Sequence, residues 1–222
     1  MLNKKMCVMG LGIIIIILAL ITCVLPGTIY SRSMDPSESA EAPTTTEALP
    51  PIRIISRREW LAQPPKDDLT ELNVPVGQVI IMHTASRNCR NQTECGERIR
   101  MLQNYQMSHN GFSDIGYNFL IGGDGNIYEG RGWTFVGAFL IGQNAKSQGI
   151  AFVGNYNRDT PTEDQMDALD GLLANGIRNG YLNSSFKLFG ARQWQATESP
   201  GQHLYDLLKS NEHWTDVLSN SK

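Results

Sequence analysis

Apolar and polar positions divide the chain into unlike parts. Residues 6–25 form a run of 20 without a charge, including five consecutive isoleucines from Ile13 to Ile17. A helix of that length, rising about 1.5 Å per residue, crosses a hydrocarbon core of about 30 Å. Residues 27–51 follow, rich in Ser, Thr, Pro, Glu and Ala and ending Glu41-Ala-Pro-Thr-Thr-Thr-Glu-Ala-Leu-Pro-Pro51. That segment offers too little apolar surface to offset the entropy of ordering it, which predicts a disordered stalk. Beyond Ile52 the pattern becomes that of a folded domain. The run 79–83, bounded by Gly77 and polar residues, predicts a buried strand. Residues 94–107 predict a helix, and 117–121 and 126–129 flank Gly122-Gly-Asp-Gly125 as a hairpin. Residues 149–153 predict another buried strand. Thr162 then reads as a helix N-cap with Gln165 three residues on; Met166, Leu169, Leu172, Leu173 and Ile177 recur at helical spacing, and Gly180 is the stop. A short strand at 187–189 and a last helix around 204–209, after Pro200-Gly201, complete the set. Strands alternating with helices imply an α/β fold, a central sheet with helices on its faces.

Charge adds the topology. Lys4 and Lys5 precede the apolar run and favour a cytoplasmic N-terminus. A cleaved signal peptide is the alternative, but such peptides have apolar cores of roughly 7–15 residues; this run is longer and lacks a clear small-x-small cleavage site. The expected organisation is a cytoplasmic tail at 1–5, too short for a signalling motif, a transmembrane signal anchor at 6–26, the stalk at 27–51, the domain at 52–216 and a tail at 217–222. Localisation would be the plasma membrane, single-pass type II, with the domain outside the cell. A formal net charge of −3 with 18% charged residues gives no basic face, so no nucleic-acid partner is expected. Of four cysteines, Cys7 and Cys23 lie in the apolar run and Cys89 and Cys95 in the domain. Free thiols or half of a metal site are open alternatives for the second pair. A disulfide is favoured, because no second Cys or His pair is nearby; it would be worth on the order of 2 kcal/mol. Sequons at Asn91-Gln92-Thr93 and Asn183-Ser184-Ser185 make both asparagines candidate glycosylation sites.

Three segments carry more specific information: Val79-Ile-Ile-Met-His-Thr-Ala85, followed by Cys89 and Cys95; the block from Asp114-Ile-Gly-Tyr117 through Gly122-Gly-Asp-Gly125 to Trp133; and Thr197-Glu-Ser-Pro-Gly201. In order and spacing they resemble the peptidoglycan recognition proteins, relatives of the zinc N-acetylmuramoyl-L-alanine amidases, over roughly residues 51–214. The likeness is to the long, membrane-anchored insect form. It implies a mainly parallel, mixed sheet flanked by helices. In active members two His and one Cys hold zinc and leave one position for water, the open geometry a hydrolytic zinc requires. The matching positions here are Met82, Ala191 and Ser199. His83 matches a neighbouring histidine that is not a ligand. No metal, cofactor or catalytic residue is therefore expected. The resemblance also implies a muropeptide groove, with His83, Tyr117, Asn144 and Thr197 as candidate ligand-binding residues. Packing and capping are equally ordinary roles for Tyr117 and Thr197. Gln106 and Phe139 stand at groove positions where the family has histidines. Ala145 stands where some receptors carry the arginine that pairs with a diaminopimelate carboxylate, and the adjacent Lys146 lacks its bidentate fork. The implied role is a non-catalytic receptor or regulator in antibacterial immunity. Its partners would be peptidoglycan fragments, bound weakly, and other recognition receptors on the same membrane.

Overall fold

The computed structural model describes residues 52–217. The expected tail, anchor and stalk at 1–51 lie outside them, as do the last five residues. No helix among the described residues is long and apolar enough to cross a membrane.

The apolar run after Gly77 lies within the central strand β2 (Val76–His83). On one side it pairs in parallel with β5 (Gln148–Phe152), on the other with β6 (Leu182–Gly190). β3 (Phe119–Ile121) runs parallel to β5 and antiparallel to β4 (Ile127–Glu129), the hairpin expected from the glycine-rich turn. Gly125 takes φ +75° in that turn, and Asp124 Oδ1 accepts from Asn126 N at 3.2 Å. A two-residue strand β1 (Ile54–Ile55), too short to leave a pattern, pairs with β4. The sheet order is β1-β4-β3-β5-β2-β6.

Both sheet faces are covered, so β2 is apolar on both sides. Val79 and Ile81 join a cluster with Leu169, Leu172 and Leu173 of helix α2 (Glu163–Arg178) and Leu204 and Leu208 of helix α3 (Gln202–Leu208). Ile80 and Met82 join a second cluster with Cys95 and Ile99 of helix α1 (Gln92–Ser108). The capping box expected for α2 is formed, with reciprocal Thr162 and Gln165 hydrogen bonds. Helix α1 begins two residues before the expected start because the Asn91 side chain caps it, accepting from Glu94 N at 3.0 Å.

Two strand assignments change. β6 is nine residues long rather than three. Its first half, Leu182-Asn-Ser-Ser-Phe186, is mostly exposed and joins β2 across a register shift, so apolar patterning could not mark it. β3 starts at Phe119 rather than Tyr117. Asn118 is fully buried and turns inward, donating through Nδ2 to the carbonyls of Gly132 and Phe135 and accepting at Oδ1 from Gly149 N.

Cys89 and Cys95 form a disulfide with Cα atoms 5.0 Å apart. Both are buried and the hairpin turn rests on them: Gly123 N donates to Cys89 Sγ at 3.4 Å. The free-thiol and metal alternatives for this pair are thereby excluded.

Candidate functional site

The C-terminal end of β2 carries Met82 and His83, and successive strand residues point to opposite faces. Met82, 4% exposed, enters the α1-side cluster together with Ala191, the first residue of a short 3₁₀ turn after β6. Ser199 closes against both. Its Oγ accepts from His83 N at 3.1 Å, and its carbonyl accepts from Arg192 N at 2.9 Å. The amides that follow Met82 and Ala191 thus converge on one serine, and the three positions singled out in the sequence form one group. Thr197 belongs to it as well, its Oγ1 accepting from Ser199 N at 3.2 Å.

The loop bearing Ser199 is tied down by Arg192, whose guanidinium donates to the Glu198 carbonyl and to Gln202 Oε1 and lies 4.7 Å over the Tyr205 ring. Gln193 accepts from Gly190 N at 2.8 Å and donates to the Thr215 carbonyl at 2.8 Å.

The His83 ring faces Tyr156 of the α2-side cluster, and Nδ1 accepts from Tyr156 N at 3.3 Å. That bond leaves the ring proton on Nε2. Burial, then the positive charge of Arg192, lowers the pKa of the imidazole from its ordinary value of 6.5.

Tyr117 lies just before β3 and packs on the same cluster as Met82 and Ala191. Burial pushes its phenol pKa up, opposed by a hydrogen bond with Gln106. Gln106 Oε1 in turn accepts from Gly116 N at 2.8 Å. Beneath this segment sits Asp114, completely buried. It accepts from Ile115 N and Gln103 Nε2 at 2.7 Å each, and pairs with Arg57 at 2.9 Å.

Asn144 holds a loop rather than an open position. Its Oδ1 accepts from Phe139 N at 3.0 Å and from Leu140 N at 2.8 Å. The Phe139 ring lies against the backbone of β5, where a Cβ on Gly149 would come within 2.2 Å of a ring carbon.

Among the four candidate ligand-binding residues, Thr197 and the His83 backbone meet at Ser199. Tyr117 shares the cluster that holds Met82 and Ala191, while the His83 imidazole and the Asn144 carbonyl oxygen are taken up in internal bonds. Trp194, which the sequence motifs did not single out, packs on that cluster with its ring 5.2 Å from Phe189 in a T-shaped contact. Both candidate glycosylation asparagines are exposed. Asn91 caps α1, and Asn183 Oδ1 accepts from Ser185 N and Oγ at 3.1 Å each.

A mainly parallel sheet with a side-chain group at the end of β2 and the loop after β6 is the architecture of an amidase-type domain, and the comparisons agree. The family model described as N-acetylmuramoyl-L-alanine amidase matches residues 72–202. Peptidoglycan-recognition protein SD of Drosophila simulans is 41% identical over 167 residues, which are 75% of this chain and 90% of that protein. A peptidoglycan recognition protein of Trichoplusia ni is 41% identical over 168 residues, 73% of this chain and 89% of the relative. Among solved structures, the ectodomain complex of peptidoglycan recognition proteins LCa and LCx bound to tracheal cytotoxin matches with a TM-score of 0.73 and 41% identity, covering 74% of this chain and 99% of that one. Peptidoglycan recognition protein LE in complex with tracheal cytotoxin, a monomeric diaminopimelic acid-type peptidoglycan, matches with a TM-score of 0.73 and 40% identity, over 74% and 96%. The chain belongs to the peptidoglycan recognition protein family.

Proposed function

We propose that this chain is a membrane-anchored, non-catalytic peptidoglycan recognition protein, a receptor or regulator in innate antibacterial signalling. The observation that carries the reading is the convergence of Met82, Ala191 and Ser199. A buried thioether, a methyl group and a neutral hydroxyl do not replace two imidazoles and a thiolate. The Ser199 hydroxyl already serves as acceptor for His83 N. Among the described residues no group of three His, Cys, Asp or Glu side chains could hold a metal ion, so the residues present do not fit zinc.

Binding is the retained part of the family's activity in this reading. Tyr117 and Thr197 remain at the family's groove positions, whereas Gln106, Phe139 and Ala145 replace groups that would meet a stem peptide, and the affinity is correspondingly weak. The solved complex of LCa with LCx supports a second kind of partner, another recognition domain. The uncharged run at 6–25 behind Lys4 and Lys5 supports a signal anchor, which would place such partners on one membrane and raise their effective concentration. Asn91 and Asn183 would carry glycans outside the cell.

Incubating the protein with zinc and peptidoglycan tests the first claim: no stem peptide should be released, and chelator-sensitive release would overturn it. Calorimetry with diaminopimelate-type and lysine-type muropeptides tests the second, with dissociation constants weaker than about 1 μM expected. Edman sequencing of the extracellular product tests the anchor, since a start near Thr28 would mean a secreted protein.

A further inference from the structure

A cleft of about 380 Å³ lies between helix α2 and residues 210–213. Asp170, Leu173, Ala174 and Ile177 recur at helical spacing and form its helical wall. Leu173 and Ile177 belong to the α2-side cluster, whereas Met82, Ala191 and Tyr117 belong to the α1-side cluster, so the sheet separates this cleft from the candidate site. Across from the helix, Ser210 Oγ donates to the Leu207 carbonyl at 2.8 Å. Asn211 donates to Asp170 Oδ1 at 3.2 Å and accepts from His213 N at 3.0 Å. The His213 ring stacks on Phe186 with centroids 4.0 Å apart. Among the described residues no Lys or Arg pairs with Asp170 or Glu212; the basic group nearest Glu212 is His213, at 3.7 Å. Burial raises the Asp170 pKa; the Asn211 hydrogen bond opposes that, and the charges of Asp167 and Glu212 add to it. The carboxylates continue toward the start of α2 as Asp167, Asp164 and Glu163, all exposed. Glu163 and Asp164 lie in the first turn, where the helix dipole favours an anion, but Asp167 and Asp170 lie beyond it. Those two like charges sit three residues apart, with no Lys or Arg within four residues of either, an arrangement that weakens a helix left to itself.

We propose that this cleft and the carboxylate row beside it dock a basic segment of a partner protein, one that lays a Lys or Arg side chain over Leu173, Ala174 and Ile177 with its cation at Asp170 and Glu212. The chemistry selects the occupant. A long basic side chain joins an aliphatic stem to a charged head, which matches an apolar wall ending in carboxylates. A sugar needs polar groups free to meet its hydroxyls, and the Ser210 hydroxyl and the Asn211 amide are already bonded within the domain. The row from Glu163 to Asp170 also runs about 10 Å along the helix at about 1.5 Å per residue, further than a single amine covers. Several basic residues of one chain, lying along α2, fit that length and its uniform sign. The cleft shares no lining residue with Met82, Ala191 and Ser199, or with Tyr117, Phe139 and Asn144. The inference deepens the proposed role as a regulator and rests on it for the existence of a protein partner.

The test uses the full-length chain in lipid nanodiscs, selected against a displayed random-peptide library. Enriched sequences should carry two or more Lys or Arg residues. The strongest of them, synthesised with a fluorescent label, should lose about tenfold in affinity to Asp170→Asn and to Ala174→Arg. Ala174→Arg places a cation four residues after Asp170, where it pairs with that carboxylate and occupies the cleft from within. This variant should therefore melt at or slightly above the parent, so that lost binding is not lost folding. Enriched sequences without a basic residue, or binding indifferent to both substitutions, would overturn the proposal. So would self-association of the chain that Ala174→Arg abolishes, because the surface would then join two copies. Muropeptide calorimetry on Ala174→Arg separates this proposal from the previous one. Unchanged heat is expected, and loss of muropeptide binding would make the cleft part of the muropeptide site and refute the inference. A parent chain that binds no muropeptide would count against the proposed recognition function alone.

Discussion

Replacing Arg57 with Met is the most demanding test of how the Tyr117 segment is held. Asp114 is 0% exposed and its carboxylate has three sources of compensation: Ile115 N, Gln103 Nε2 and the Arg57 guanidinium. The substitution keeps the apolar stem but removes the charge that balances a buried anion. It also deletes the donors to the carbonyls of Gly130 at 2.6 Å and Gln63 at 2.8 Å. Removing one partner of a buried pair costs about 3–5 kcal/mol. The Arg57 side chain is 25% exposed, so water can partly replace it, and the lower end, about 3 kcal/mol, applies. For a domain of this size that corresponds to a fall in Tm of about 6–12 °C. Thermal unfolding followed by near-UV circular dichroism measures it. The double variant Arg57→Met with Asp114→Asn should recover part of the loss, because a neutral amide no longer needs the cation. A single-variant loss under about 1 kcal/mol, or a double variant no better than Arg57→Met, would refute the assignment of Asp114 as a charge-compensated anchor.

Further outcomes follow from the same contacts. Ser199→Ala leaves His83 N without its acceptor and should cost about 1–3 kcal/mol in denaturant unfolding, with Ser199→Thr recovering part of it. Gly149→Ala drives a methyl into the Phe139 ring and should cost about 1–3 kcal/mol in the same assay, relieved when Phe139→Ala is added. His83 has a pKa lowered in the folded state, so below its ordinary value of 6.5 the unfolded chain binds more protons than the folded one. The associated stability is therefore complete above 6.5 and falls as pH drops through that value. His83→Gln should flatten this part of a stability-versus-pH curve. In the proposed reading, Met82→His, Ala191→His and Ser199→Cys together should create zinc affinity, read as a zinc-dependent rise in Tm that chelator reverses and the parent lacks.

What the sequence disclosed and what it hid divide along a physical line. Features with a local period or a local hydrogen bond were readable: the apolar core of β2, the hairpin turn at Gly122–Gly125, the Thr162–Gln165 capping box and the apolar spacing of α2. Features that depend on a distant partner left no such trace. The exposed half of β6 is held by pairing with β2 and has no alternating apolar residues to mark it. Asn118 and Asn144 look like surface polar residues until the carbonyls and amides they bond are brought to them by folding. The candidate site shows the same division. Met82, Ala191 and Ser199, far apart in sequence, come together at the end of β2. That the His83 imidazole turns toward Tyr156 follows from strand alternation and tertiary packing, which motif spacing does not encode.

In the proposed non-catalytic reading, the composition of the α1-side face bears on how the domain would persist without metal chemistry. Met82 and Ala191 are buried in a cluster that also receives Tyr117, Phe139 and Trp194, so apolar atoms fill a surface that a hydrolytic site must keep polar and open to water. Ser199 keeps the one feature the backbone requires there, an acceptor for His83 N. In the proposed reading, recognition by contact rather than bond cleavage is the activity such a face supports.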